Sequence, residues 1–188
     1  MHSDSTVLLA LLNVLIRVHI ADFLWEVMAH PGDPRFAGKA IPIRNLVIVG
    51  GMSMLFPVAH LVFKRWKRYP HGWDSLYLSV YWLDMAGNSF DLYDSYTHFD
   101  LIPHFHGTAA FTLVFERAFG LRPLQAFLVA NGAHMALEAQ EIFTDVFFKT
   151  HNVRGWWDTA GDMTAGILGS LAYPALARSV GRSRRTSA

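Results

Sequence analysis

The stretch Trp156–Ala177, WWDTAGDMTAGILGSLAYPALA, decides how the chain is to be read. From Gly166 onward it is apolar or small, and the whole stretch has about the ~20 residues that a membrane-crossing helix needs. Trp156 and Trp157 suit a membrane–water interface, where amphipathic rings gather. Asp158 stands where a helix begins, and its carboxylate is explained equally by capping and by a functional role. Asp162 is harder to place. It lies one turn deeper on the same face, beyond the reach of a cap. A carboxylate inside a span costs about 2.5–3.5 kcal/mol on insertion scales, so it must face protein and find a partner. Gly161, Ala165, Gly166 and Gly169 would let a neighbouring helix come close enough to supply one.

Five further segments repeat the pattern: Val7–Ala29, Arg44–Phe63, Trp73–Phe90, Leu101–Phe115 and Leu124–Phe148. Pro, Gly and charge punctuate most of the connections between them. The chain is 52% hydrophobic and only 16% charged, against about 25% charged in an ordinary soluble domain. The expected fold is therefore all-α, a polytopic membrane bundle of about six transmembrane helices. One transmembrane domain covers 1–177, and a basic, disordered cytoplasmic tail covers 178–188. The first segment carries Arg17, Asp22 and Glu26 and lacks a basic leader and a cleavage site, so it reads as a retained helix. Lys and Arg set the orientation. With Lys64, Arg65, Lys67 and Arg68 in the cytoplasm, ten basic residues fall on that side, five fall outside, and Arg17 lies within a helix. Both termini are then cytoplasmic. The absence of cysteine excludes disulfides, thiolate metal sites and cysteine nucleophiles, and a net charge of +1 gives no field for nucleic acid.

This orientation gathers acids and histidines toward the outer face. In the fifth segment His134, Glu138, Glu141 and Asp145 recur at i, i+4, i+7 and i+11, one face of a helix; the plainer alternative is an end that projects into water. Asp22, Glu26 and His30 are spaced likewise at the end of the first segment. The stretch SFDLYDSYTHFDLIPHFHG adds Asp91, Asp94, His98, Asp100, His104 and His106. Imidazole and carboxylate together form a ligand set for Zn, Mn or Fe. His104 and His106 are two residues apart, so on a helix one faces the site while the other faces packing or the interface. Arg17, deep in the first segment, calls for a structural ion pair, and Asp84 is a candidate.

The pieces YDSYTHF…HFHG, LEAQEIF and WDTAGDM…G resemble the pattern of the YjdF-like and VanZ-like bacterial integral membrane proteins over residues 91 to 170. The resemblance falls on Asp94, His98, Glu138, Asp158, Asp162 and Gly169. It departs at His104–Phe105, an added pair, and at Ala165, where an acid or amide is common. It implies a bacterial plasma-membrane protein with an envelope role.

The functional expectation is a metal-dependent membrane hydrolase acting at the outer leaflet on a lipid or lipid-linked substrate. Asp94, His98, Glu138 and Asp162 would hold a divalent metal, with Glu141 or His104 as general base or acid. Asp22, Glu26, Asp91, His106, His134 and Asp158 are further candidates. A proton- or cation-coupled transporter built on the same groups is one alternative, and a non-catalytic envelope or assembly protein is another.

Overall fold

In the computed structural model, residues 2–37, 39, 44–64 and 69–186 are described, and no strand occurs among them. The elements are α1 (His2–Ala29), a 3-10 turn (Pro34–Phe36), a π-helical turn (Asn45–Gly50) leading to α2 (Leu55–Val62), α3 (His71–Ser89), the single turn α4 (Leu92–Ser95), α5 (Leu101–Arg117), α6 (Pro123–Phe148) and α7 (Trp156–Thr186). Arg65, Lys67 and Arg68 of the basic loop, on which the orientation leans, lie outside the described residues, as do parts of the connection before Arg44 and the last two residues of the tail. Two helices are long and apolar enough to cross a membrane among the described residues, Thr6–Ala29 and Asn45–Val62. Where one domain is expected, the chain divides into two compact units, Met1–Thr97 and His98–Ala188. Where a disordered tail is expected from 178, the backbone of α7 stays helical to Thr186.

In the first unit α1 and α3 run parallel. Asn13 bonds Asp74 and Ser75, Trp82 donates to His19, and Ser89 donates to Glu26. Ile20, Phe23 and Val27 of α1 and Tyr77, Leu78, Tyr81 and Met85 of α3 are buried. Arg17 finds its partner at the start of α3, not at its middle. Arg17 Nη2 is 2.6 Å from Asp74 Oδ2, and Asp74 is fully buried. The expected partner, Asp84, lies ten residues further along α3, about 15 Å at 1.5 Å per residue. Asp84 is held instead by Arg44 at 3.4 Å and by the Tyr93 hydroxyl at 3.0 Å.

The second expected helix is interrupted by a turn at Ser53–Met54, and Pro57 explains the interruption. Proline has no N–H for the carbonyl four residues earlier, which belongs to Ser53. Arg17 Nη1 takes that role and donates to Ser53 O at 2.9 Å. Outside this core, Val7, Leu8, Leu11, Val14 and Val18 of α1 and Val58, Leu61 and Val62 of α2 are more than half exposed.

In the second unit α5 and α7 run parallel and α6 runs against both. Thr108 Oγ1 of α5 donates to Gly166 O of α7 at 2.6 Å, and Asn131 of α6 donates to Ser170 of α7 at 3.1 Å. Ala109, Ala110, Ala126 and Ala130 are fully buried, the small-residue contacts that let helices approach. At Gly169 a Cβ would overlap the Phe105 carbonyl, so only glycine permits this approach of α7 to α5. Pro123 opens α6 at a position where no N–H is needed. Lys149 in the left-handed conformation ends it. Asp145 ties down the connection that follows, accepting from Thr150 Oγ1 (2.6 Å), Asn152 N (2.9 Å) and Val153 N (2.8 Å). That role accounts for the last acid of the expected helix face.

Candidate metal centre

The second unit brings four ionisable side chains together in its interior and a fifth at the edge. α5 contributes His104, one turn from its start. α6 contributes His134 and Glu138, whose i, i+4 spacing puts both on the face turned inward. α7 contributes Asp162. All four are buried, at 8%, 5%, 5% and 4% exposure. Asp100, which precedes α5, forms the outer edge, its side chain 19% exposed.

The two nitrogens of His104 divide the group. Nδ1 lies 2.7 Å from His134 Nε2, a hydrogen-bond distance, and 3.5 Å from Glu138 Oε1; His134 Nε2 is 3.4 Å from the same oxygen. Nε2 lies 3.3 Å from Asp100 Oδ1 and 3.9 Å from Asp162 Oδ1. Two sets among the described residues are compact enough to share an ion, His104–His134–Glu138 and Asp100–His104–Asp162. Within the first set all three residues are buried. Glu138 Oε1, His134 Nδ1 and Asp162 Oδ1 are buried without a hydrogen bond. A buried polar atom left in that state costs about 1–3 kcal/mol, more when charged, which a ligand supplying the missing partner would offset.

Packing fixes the geometry. A Cβ at Gly166 would overlap the His134 ring, so the absence of a side chain there lets that ring lie against α7. Thr108 is one turn beyond His104; its hydroxyl donates to Gly166 O and lies 3.0 Å from His104 O, joining the backbones of the two helices beside the cluster.

The expected residues fall differently. Glu138 and Asp162 are in the cluster. His104, expected as acid or base, sits at its centre, and His134, a further candidate, stands beside it. His106 points elsewhere and its Nδ1 is 2.9 Å from the Tyr173 hydroxyl. His98 is exposed, and Asp94 belongs to the first unit, where it is exposed and paired with Lys39 at 2.8 Å. Neither is in a set that could share an ion. Glu141 is half-buried and outside those sets as well. Asp158 does not cap α7 from outside the helix. It lies within the first turn and reaches back to accept from Arg154 N at 2.8 Å. In the first unit Asp22 is exposed. Glu26 pairs with Arg35 at 2.8 Å, and Asp91, at φ 55°, turns the chain between α3 and α4. In the sequence Asp100 is one acid of a rich stretch, and its i, i+4 spacing to His104 is the signal that marks it.

The chain matches no protein-family model, no curated protein and no solved structure.

Proposed function

We propose that this chain is an integral membrane protein whose second unit binds a divalent metal through His104 Nδ1, His134 Nε2 and a Glu138 carboxylate oxygen. The observation that carries the reading is the convergence of these three ligand atoms, 2.7–3.5 Å apart, in a buried place built by two helices. Ligands about 2.0–2.1 Å from a tetrahedral zinc stand about 3.4 Å apart. The two nitrogen–oxygen separations already have that value, and the two imidazoles need to part by about 0.6 Å. Two histidines and a glutamate leave a fourth position for water or substrate, as in hydrolytic zinc sites. There the metal would polarise a carbonyl or phosphoryl oxygen or lower the pKa of a bound water. The exposed apolar faces of α1 and α2 support a lipid setting, since soluble proteins rarely leave such patches uncovered. Hydrolysis of a lipid or lipid-linked ester or phosphate is the reaction this setting favours. In the YjdF-like and VanZ-like pattern, Glu138, Asp162 and Gly169 are the positions that coincide with the cluster and its packing.

The test is the metal content of protein purified in detergent without chelator. One Zn, Mn or Fe per chain, lost in Glu138→Ala and His134→Ala, is the expected result and opens assays on phospholipid and lipid-linked substrates. A wild-type chain without metal overturns the reading.

One observation favours a second reading. The 2.7 Å contact between His104 and His134 suits a single shared proton, with Asp100 beyond it, which is the arrangement of a proton-handling group. A metal-free chain that moves protons in proteoliposomes, and stops on His104→Ala, would establish it.

A further inference from the structure

Asp100 occupies the N-cap of α5, where an aspartate ordinarily accepts a hydrogen bond from the backbone N–H two or three residues on. Its side chain makes no such bond. Its backbone is already helical, at φ −54° and ψ −38°, where a capping residue is extended, and neither donor is open. The residue three positions on is Pro103, which has no N–H, and the N–H of Ile102 is already given to Phe99 O at 2.9 Å. The carboxylate is thus free of the helix end it begins, and it turns to His104 Nε2, 3.3 Å away.

We infer that Asp100 is a positioning residue for the metal centre: it accepts the Nε2–H of His104 and so holds the lone pair of that ring on Nδ1, toward His134 and Glu138. The inference rests on the metal reading given above. A histidine ligand commonly donates its other N–H to a carboxylate, which fixes the tautomer and raises the basicity of the ligating nitrogen. Asp162 Oδ1, at 3.9 Å from the same nitrogen, is too distant to take this bond. Because the side chain of Asp100 makes no capping bond, replacing it leaves the start of α5 intact.

The measurement is zinc affinity of the full chain in detergent, by competition with a chromophoric chelator, together with the absorption spectrum of the cobalt(II) form. Asp100→Ala is expected to weaken binding 10- to 100-fold while the shape of the cobalt spectrum stays that of the wild type. Asp100→Asn keeps the acceptor oxygen and loses the charge, and is expected to weaken binding roughly tenfold; it carries the test if the alanine variant fails to fold. Wild-type affinity in these variants overturns the inference and leaves the metal reading standing. Binding abolished with an altered cobalt spectrum, as expected for Glu138→Ala, would make Asp100 a ligand and also overturns it. A wild-type chain that binds neither zinc nor cobalt overturns both.

Discussion

Gly166 has no room for a side chain: a Cβ there would overlap the His134 imidazole and come within 3.2 Å of Thr108 Cγ2. Gly166→Ala should therefore push His134 away from His104. The expected loss of stability is about 1–3 kcal/mol, the usual cost of overpacking. Metal content should fall much further than that alone implies, which thermal unfolding and elemental analysis of one sample would show together. Equal metal content in this variant would mean that the ring has another seat. At Asp74 the logic is burial of charge. Removing Arg17 would leave a fully buried carboxylate with no cation, a change that destabilises by about 3–5 kcal/mol. Arg17→Met should show that loss in detergent unfolding, and Arg17→Met combined with Asp74→Leu should recover much of it. A single variant as stable as the wild type would remove Arg17 from the core of the first unit.

Among the elements, the turn at Pro34–Phe36 is held by charge. The Arg35 side chain, and then its backbone N–H, hold the Asp33 carboxyl at about 2, well below the ordinary aspartate value near 3.9. A lowered pKa gives stabilisation that is complete above the unfolded value and lost as the pH falls through about 2. Carboxyl NMR should find the Asp33 midpoint near 2, and Arg35→Gln should return it toward the ordinary range; an unchanged midpoint would assign the effect to another group. Most helices were legible in the sequence, because apolar runs closed by Pro, Gly and charge mark their own ends. α6 begins at Pro123 and stops before Lys149 almost as its composition suggests. The break before α2 was equally written, in Pro57, but its meaning depends on Arg17 arriving from another helix. The ligand set was half legible for the same reason. Periodicity put His134 and Glu138 on one face, whereas the choice among His98, His104 and His106 depends on how far α5 slides along α6. The pairing of Asp94 with Lys39, 55 residues apart, has no local signal at all.

For the whole molecule, six crossings remain the proposal that best joins two long apolar helices to the charge asymmetry of the connections. The chain has no cysteine, so single introduced thiols can be read without background. Ala118→Cys, between α5 and α6, should be shielded from an impermeant maleimide in intact cells. His151→Cys, between α6 and α7, should be labelled. The reverse result would invert the chain and place the candidate metal centre toward the cytoplasm. The candidate ligands come from helices that run in opposite directions, and this makes the centre a gauge of register. Sliding α5 by one residue against α6 moves His104 by about 1.5 Å, whereas metal–ligand distances tolerate about 0.2 Å. Bilayer thickness alters helix tilt at the cost of fractions of a kcal/mol per Å. If the proposed centre holds zinc in a bilayer, its affinity in vesicles of graded acyl-chain length should rise to a maximum and fall on either side, and the site would then report the thickness of the lipid around it.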